Sequence, residues 1–339
     1  MSEVGRAEGV LFHPDVGSEQ GWGHFRECVA VGRELSSAGV RCGFALPSDL
    51  DVAHSDAASE AFEVHSVPVG RGASHSGFPA GLAAQAGYDF VVVNLVRIPG
   101  DYARELDESV RSWAVITEHS SDEVGRINFN ISLNPELMPL DASWGSVSSS
   151  NLNVREEVRE ALVCLGGSDP KNATGLILEM LRQGIKRGHL PETIRMTLVI
   201  GPLFRHRAVL EAMAETYPAD IRVVGPVTPT YLAQLAAGCD VAITTGGGTM
   251  YEFAALGLPS LVVPILDKMA ANASVLAERN AVLLAPRVDR VSAEELVSYV
   301  TQLVDLENRR SLSQHARETV DGRGAARIAC RLLEEWNLS

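Results

Sequence analysis

Residues Val241–Pro264 read VAITTGGGTMYEFAALGLPSLVVP, and their reading sets the frame for the rest of the chain. Val241 to Thr245 is a short apolar run with β-branched residues, as expected of a buried parallel strand. Gly246, Gly247 and Gly248 follow at once, and three residues without a Cβ let the backbone turn sharply and come close to a ligand. Thr249 to Leu256 then reads as a helix, Gly257 as its stop and Pro259 as the start of the next strand. A helix that begins beside a glycine loop points free N–H groups and the positive end of its dipole at that loop, where a phosphate fits. Glu252 falls one turn inside the helix. A carboxylate there suits hydroxyls, such as those of a ribose, better than it suits a phosphate. Taken alone, the stretch is also an ordinary βαβ unit, and Glu252 also an acidic residue favoured by the helix dipole.

Working outward, the chain has 339 residues, 46% of them apolar, which predicts two α/β domains rather than one. A net charge of −14 with no basic stripe argues against a nucleic-acid surface, so a phosphate site has to be local and built largely from backbone amides. No apolar run approaches the length of a membrane span, and the opening MSEVGRAEGVLFHPD lacks the pattern of a secretory signal. Five scattered cysteines without a CxxC predict reduced thiols in a cytoplasmic protein and no zinc site.

The N-terminal half opens with a second strand, loop and helix unit. Gly9 to His13 is the strand, Asp15 to His24 (DVGSEQGWGH) the loop, and Phe25 to Leu35 a helix of roughly 3.6-residue period that stops at Gly39. His24 at the helix start suits an anionic ligand or acid–base work, and also plain loop bracing. Strands follow at Arg41–Pro47, Ala61–Val67, Asp89–Val96, Trp113–Ile116 and Ile127–Leu133. Arg71 to Ala80, with His75, reads as a loop. Ligands of open α/β sheets bind beyond the C-terminal strand ends, which makes Asn94, Arg97 and the Thr117-Glu118-His119 run candidate site residues. Strands alternating with helical patterns predict doubly wound parallel sheets.

Asn134 to Asn153 loses periodicity and reads as the crossing between domains. The expected division is residues 1–150, then 155–320, with 321–339 a helix able to reach back over the first domain. In the second half, strand 160–165 runs into Gly166-Gly167-Ser168-Asp169-Pro170-Lys171-Asn172 and a helix over 173–184. Strands at Arg195–Gly201 and Ile221–Gly225, a loop at Asp267–Ala271, a helix led by Asn272, a strand at Ala281–Ala285 and a capping box at Ser292–Glu295 complete the pattern. One glycine turn lies in the N-terminal half and two in the C-terminal half, which predicts a ligand held in a cleft that two similar domains face. The chain has no GxGxxG in the right place, no GxxxxGK[ST] and no GxSxG, which disfavours a single-domain dinucleotide site, a P-loop nucleotidase and an α/β-hydrolase.

With these residues in hand, the chain resembles GT-B-fold proteins of the PseG type, UDP-sugar hydrolases related to the MurG glycosyltransferases. The opening pattern D-x-x-S-E-x-G-x-G-H is matched by Asp15, Ser18, Glu19, Gly21, Gly23 and His24. G-G-S-D-P-K-N is matched by Gly166 to Asn172, and G-G-x-T-x-Y-E by Gly246 to Glu252. The resemblance implies two Rossmann-like domains, with the nucleotide on the second. Gly167, Ser168, Gly247, Gly248 and Thr249 would approach the diphosphate, Glu252 the ribose, and Val224 and Gly225 the base. His24 would be the catalytic group that activates water at the anomeric carbon, with Gly23, Asn94, Glu118 and Asn272 near the sugar. No metal or other cofactor is implied. The pattern departs from the family where the sugar would bind: Glu27 stands where an arginine is usual, and Asn94-Leu95 replaces an aspartate and an aromatic residue.

The expected function is hydrolysis of a nucleotide sugar, UDP-linked by resemblance, at an amino or deoxy sugar. The alternative is a GT-B glycosyltransferase that moves the sugar to a soluble acceptor. A non-enzymatic nucleotide-sugar binder would use His24 only to hold phosphate. An epimerase of the same architecture would need a cluster of carboxylates that is not obvious here.

Overall fold

The computed structural model describes residues 9–16, 22–68, 78–117, 125–144, 154–167, 169–202 and 204–338. They form two compact units, residues 1–141 with 323–339 and residues 142–322.

Unit 1 runs β1 (Val10–Pro14), α1 (Gly23–Ser37), β2 (Cys42–Pro47), α2 (Asp51–Ser59), β3 (Glu63–Val67), α3 (Phe78–Ala86), β4 (Phe90–Asn94), α4 (Gly100–Ser109), β5 (Ser112–Thr117) and β6 (Ile127–Asn130). The strands are parallel in the order β3-β2-β1-β4-β5-β6. Side chains alternate across the sheet. Leu11, Val91, Val93, Trp113 and Val115 enter a core with Tyr102 and Leu106 of α4. Phe12 points the other way and stacks on Phe44 at 5.0 Å, with Phe25 of α1 edge-on to Phe44 at 5.8 Å. Being buried on both faces is what makes VLFHP and FVVVN near-continuous apolar runs.

Unit 2 runs β7 (Glu160–Cys164), α5 (Ala173–Lys186), β8 (Arg195–Val199), α6 (Arg207–Glu215), β9 (Ile221–Val224), α7 (Pro229–Gly238), β10 (Val241–Thr244), α8 (Gly248–Leu256), β11 (Ser260–Val262), α9 (Asp267–Glu278), β12 (Leu283–Leu284), α10 (Ala293–Val304) and α11 (Leu306–Thr319). Its parallel strands are ordered β12-β11-β10-β7-β8-β9. Ala161, Val163, Met196, Leu198 and Ile243 meet Ile177, Leu178 and Leu181 of α5, Leu210 of α6 and Leu296 of α10 in one core. Arg309 on α11 is 1% exposed and donates to the carbonyls of Val304, Arg155 and Glu156, which anchors the start of this unit. The last helix, α12 (Gly324–Leu338), belongs to unit 1. It packs on α1, stacks Trp336 on Phe90 at 5.8 Å, and accepts a hydrogen bond from Arg111 at the Trp336 carbonyl.

Several boundaries differ from the sequence reading. The alternation of Ile127–Leu133 stops pairing at Asn130, where the Asn130 side chain accepts from the Leu133 amide and turns the chain. The region expected as a loop at Asp267–Ala271 is already the first turn of α9, so Asn272 sits in the second turn rather than leading the helix. Asp267 pairs with Arg287, and this tertiary contact is not visible in local periodicity.

Candidate functional site

In each sheet the strand order reverses once, between β1 and β4 in unit 1 and between β7 and β10 in unit 2. At such a reversal the loops leave in opposite directions and open a crevice at the C-terminal strand ends. Asp15 and Val16 follow β1, residues 95–99 follow β4, Leu165–Gly167 and Asp169–Asn172 follow β7, and Thr245–Gly247 follow β10. The two glycine turns singled out in the second half of the sequence therefore lie at the crevice of unit 2.

In unit 2 the crevice is tied shut beneath the loops, because Thr244 donates from its hydroxyl to the Cys164 carbonyl at 2.8 Å. Gly246 has no room for a side chain: a Cβ there would stand 2.7 Å from the carbonyl carbon of Met269 and closer still to its oxygen. That contact holds the loop against α9, whose next turn carries Asn272, 8% exposed. Gly247 caps α8 with an extended backbone (φ −101°, ψ −168°), no side chain among the described residues caps this helix, and its first turn holds no acidic residue. Its amides and dipole are thus directed at the loop mouth together with Gly248 and Thr249. Glu252 is half-buried on α8. The Cys164 thiol is pushed up to about 11, first by burial, with a Gly166 backbone hydrogen bond lowering it and the charge of Glu252 raising it.

The Gly166–Asn172 loop is built differently. Asp169, 4% exposed, accepts from the amides of Ala173 at 2.7 Å and Thr174 at 2.8 Å and from the Thr174 hydroxyl at 2.7 Å. Asn172, at φ +53°, accepts from the Gly175 amide. The first turn of α5 is thus capped by its own side chains, so this loop can offer a ligand its loop backbone and not a helix terminus. Gly167 packs directly on the backbone of Gly201 beyond β8. Val224 closes β9 half-buried, and the Gly225 carbonyl accepts from Arg207 at 2.9 Å. Gly167, Gly225, Gly247, Gly248, Thr249, Glu252 and Asn272 thus lie along one rim of unit 2. Ser168 lies outside the described residues.

In unit 1 the β1–β4 pairing continues past the strands. Asp15 donates its amide to the Asn94 carbonyl at 2.8 Å, and its carboxylate accepts from the Val96 amide at 2.7 Å. Asn94, 2% exposed, donates to the Glu27 carboxylate at 2.7 Å and to the His24 carbonyl at 3.4 Å. Gly23 is exposed and His24 half-buried, at the first two positions of α1. Candidates Gly23, His24 and Asn94 are thereby brought together. Glu27, 4% exposed, joins them and was passed over as a site residue in the sequence, where it registers only as a departure from the family pattern. The available signal was a charged residue on the buried side of an amphipathic helix, three residues after His24. Glu118, His119, His75, Ser18, Glu19 and Gly21 lie outside the described residues. Among the described residues no group of three or more His, Cys, Asp or Glu could hold a metal ion, and no helix is long and apolar enough to cross a membrane.

No family profile matches the chain. It is similar to the spore coat polysaccharide biosynthesis protein SpsG of Bacillus subtilis (strain 168), 26% identical over 208 residues, which is 61% of this chain and 59% of that protein. The chain thus spans well under two thirds of that relative's length. In fold it is similar to MurG of Acinetobacter baumannii, with a TM-score of 0.70 at 14% identity over 96% of this chain and 99% of that one. A putative UDP-N-acetylglucosamine 2-epimerase of Listeria monocytogenes aligns with a TM-score of 0.64 at 13% identity over 98% of each chain. Two six-stranded parallel sheets, each with its crevice at a reversal of strand order, and these likenesses together give the chain a GT-B fold, similar in sequence to SpsG and in fold to MurG.

Proposed function

We propose that this chain is a nucleotide-sugar enzyme that releases a nucleoside diphosphate by attack at the anomeric carbon, with water as the acceptor. The observation that carries the reading is the uncapped N-terminus of α8 at the crevice of unit 2, with Glu252 one turn behind it. That arrangement supplies backbone amides for a diphosphate and a carboxylate for ribose hydroxyls. When the bond from the anomeric carbon to the diphosphate oxygen breaks, negative charge builds on the leaving group. Fixed amides stabilise that charge without having to reorganise. In this reading His24 takes the proton from water as the new C–O bond forms, and the bonding electrons leave with the diphosphate. Asn94 and Glu27 hold the first turn of α1 and so the backbone of His24. UDP is the expected nucleotide, and carbohydrate biosynthesis the expected setting, as it is for SpsG by its name.

The second reading is transfer of the sugar to a soluble acceptor, favoured by the likeness in fold to MurG and to a spinosyn rhamnosyltransferase. The test is release of nucleoside diphosphate from a panel of nucleotide sugars with no acceptor added, for the wild type and His24→Ala. Release that vanishes in the variant while UDP still binds supports hydrolysis. UDP binding without release selects transfer, and neither release nor binding removes both readings.

A further inference from the structure

Unit 2 carries a second concavity, at the other end of its sheet. Side chains at Met196, Leu198 and Val223 face the core beneath α5 and α6, so Arg195, Thr197 and Arg222 point to the opposite face. Gln234, Leu235 and Gly238 of α7 stand across from them and leave an open cavity of about 490 Å³. Arg155, Arg159, Glu160 and Cys239 complete its lining. Glu160 and Arg195 are the first residues of β7 and β8, whereas the glycine loops follow the last ones. Five residues of strand separate the two ends by roughly 16 Å.

Four arginines from three segments converge here against a single lining carboxylate, in a chain whose net charge is −14. Arg155 is held by the buried Asp240 at 2.9 Å, and Arg195 pairs with Glu160. Arg159 reaches only Glu157, both of them more than 70% exposed, and so weakly bound. The Arg222 side chain has no hydrogen bond or ion pair within the described residues. Guanidinium groups gathered in one concavity repel each other unless an anion lies between them. The volume is that of a small-molecule pocket, Leu235 and Cys239 give it an apolar wall, and Thr197 and Gln234 add neutral polar groups. Two under-compensated forks call for a compact group with more than one negative charge, which is a phosphate rather than a lone carboxylate.

We propose that this groove binds a phosphate-bearing small molecule at a site separate from the glycine loops. It does not depend on the catalytic reading. The probe is inorganic pyrophosphate, followed by calorimetry and by protection of individual arginines from phenylglyoxal, mapped by mass spectrometry. Arg159 and Arg222 are exposed, so Arg159→Ala and Arg222→Ala should keep the wild-type melting temperature. The expected result is protection of Arg159 and Arg222, with affinity at this site at least about tenfold weaker in either variant. Gly247→Ala, at the other end of the sheet, should leave that protection intact, which keeps the two sites distinguishable. Displacement of pyrophosphate from the groove by UDP, or by a sugar 1-phosphate without a nucleoside, assigns the source of the phosphate. Failure of both to displace it counts against the proposal. No protection, or equal affinity in wild type and both variants, overturns it, as does capture of an acidic protein at this groove in the absence of phosphate binding.

Discussion

Two adjacent glycines in the loop after β10 separate packing from ligand approach. In Gly246→Ala the new Cβ would stand 2.7 Å from the Met269 carbonyl carbon, where ordinary contact begins near 3.4 Å, and its oxygen is nearer still. The obstacle is backbone of α9, so the loop or the helix has to move. Such overpacking costs about 1–3 kcal/mol, which in a unit of this size lowers Tm by roughly 2–12 °C. In Gly247→Ala the nearest atom to the new Cβ is the Thr245 hydroxyl at 3.8 Å, and the extended backbone is one that alanine adopts freely. Its stability should stay within about 0.5 kcal/mol of wild type. The methyl group would nevertheless project at the mouth of α8. If a diphosphate sits on these amides, losing one charge-assisted hydrogen bond costs about 1.5–3 kcal/mol, a tenfold or larger drop in affinity. Differential scanning calorimetry and UDP titration of both variants measure the two effects. A Gly247→Ala protein that binds UDP as the wild type does would refute the placement of the diphosphate. A Gly246→Ala protein that melts with the wild type would refute the packing argument.

Asp169→Ala should destabilise unit 2 by about 2 kcal/mol or more, because two amides and a hydroxyl lose a buried carboxylate partner; chemical denaturation measures it, and an unchanged midpoint would show that the cap contributes little. At low pH, Glu63 is the group to follow. Hydrogen bonding to Arg41 is the chief cause that lowers its pKa from 4.5 to about 2. A depressed folded-state value stabilises the fold above the unfolded pKa and loses that contribution as the pH falls from about 4.5 toward 2. Glu63 is 47% exposed, so screening holds the effect to about 1 kcal/mol or less. Arg41→Ala should flatten the acid limb of a Tm-against-pH curve in that window, and an unaltered slope would remove the pair from the account.

The sequence by itself determined the parallel α/β class and the location of the loops. Runs such as VLFHP, FVVVN and VAIT are apolar on both faces, and a strand of that kind belongs inside a doubly wound sheet wherever its neighbours lie. A glycine turn directly after such a strand is also a local property, which is why 166–167 and 246–247 were legible as loop positions. Tertiary structure alone decided what each loop can do. The carboxylate of Asp169 closes the end of α5, while no side chain among the described residues caps α8, and the letters GGSDPKN and GGGTMYE do not show that difference. The union of Asn94 with Glu27 and the backbone of His24 depends on β4 lying beside β1 across some 70 residues of chain. Convergence of Arg195 with Arg222 depends in the same way on β8 lying beside β9. Local periodicity encodes which face of an element is apolar; strand order, fixed by long-range packing, decides which polar residues meet at its ends.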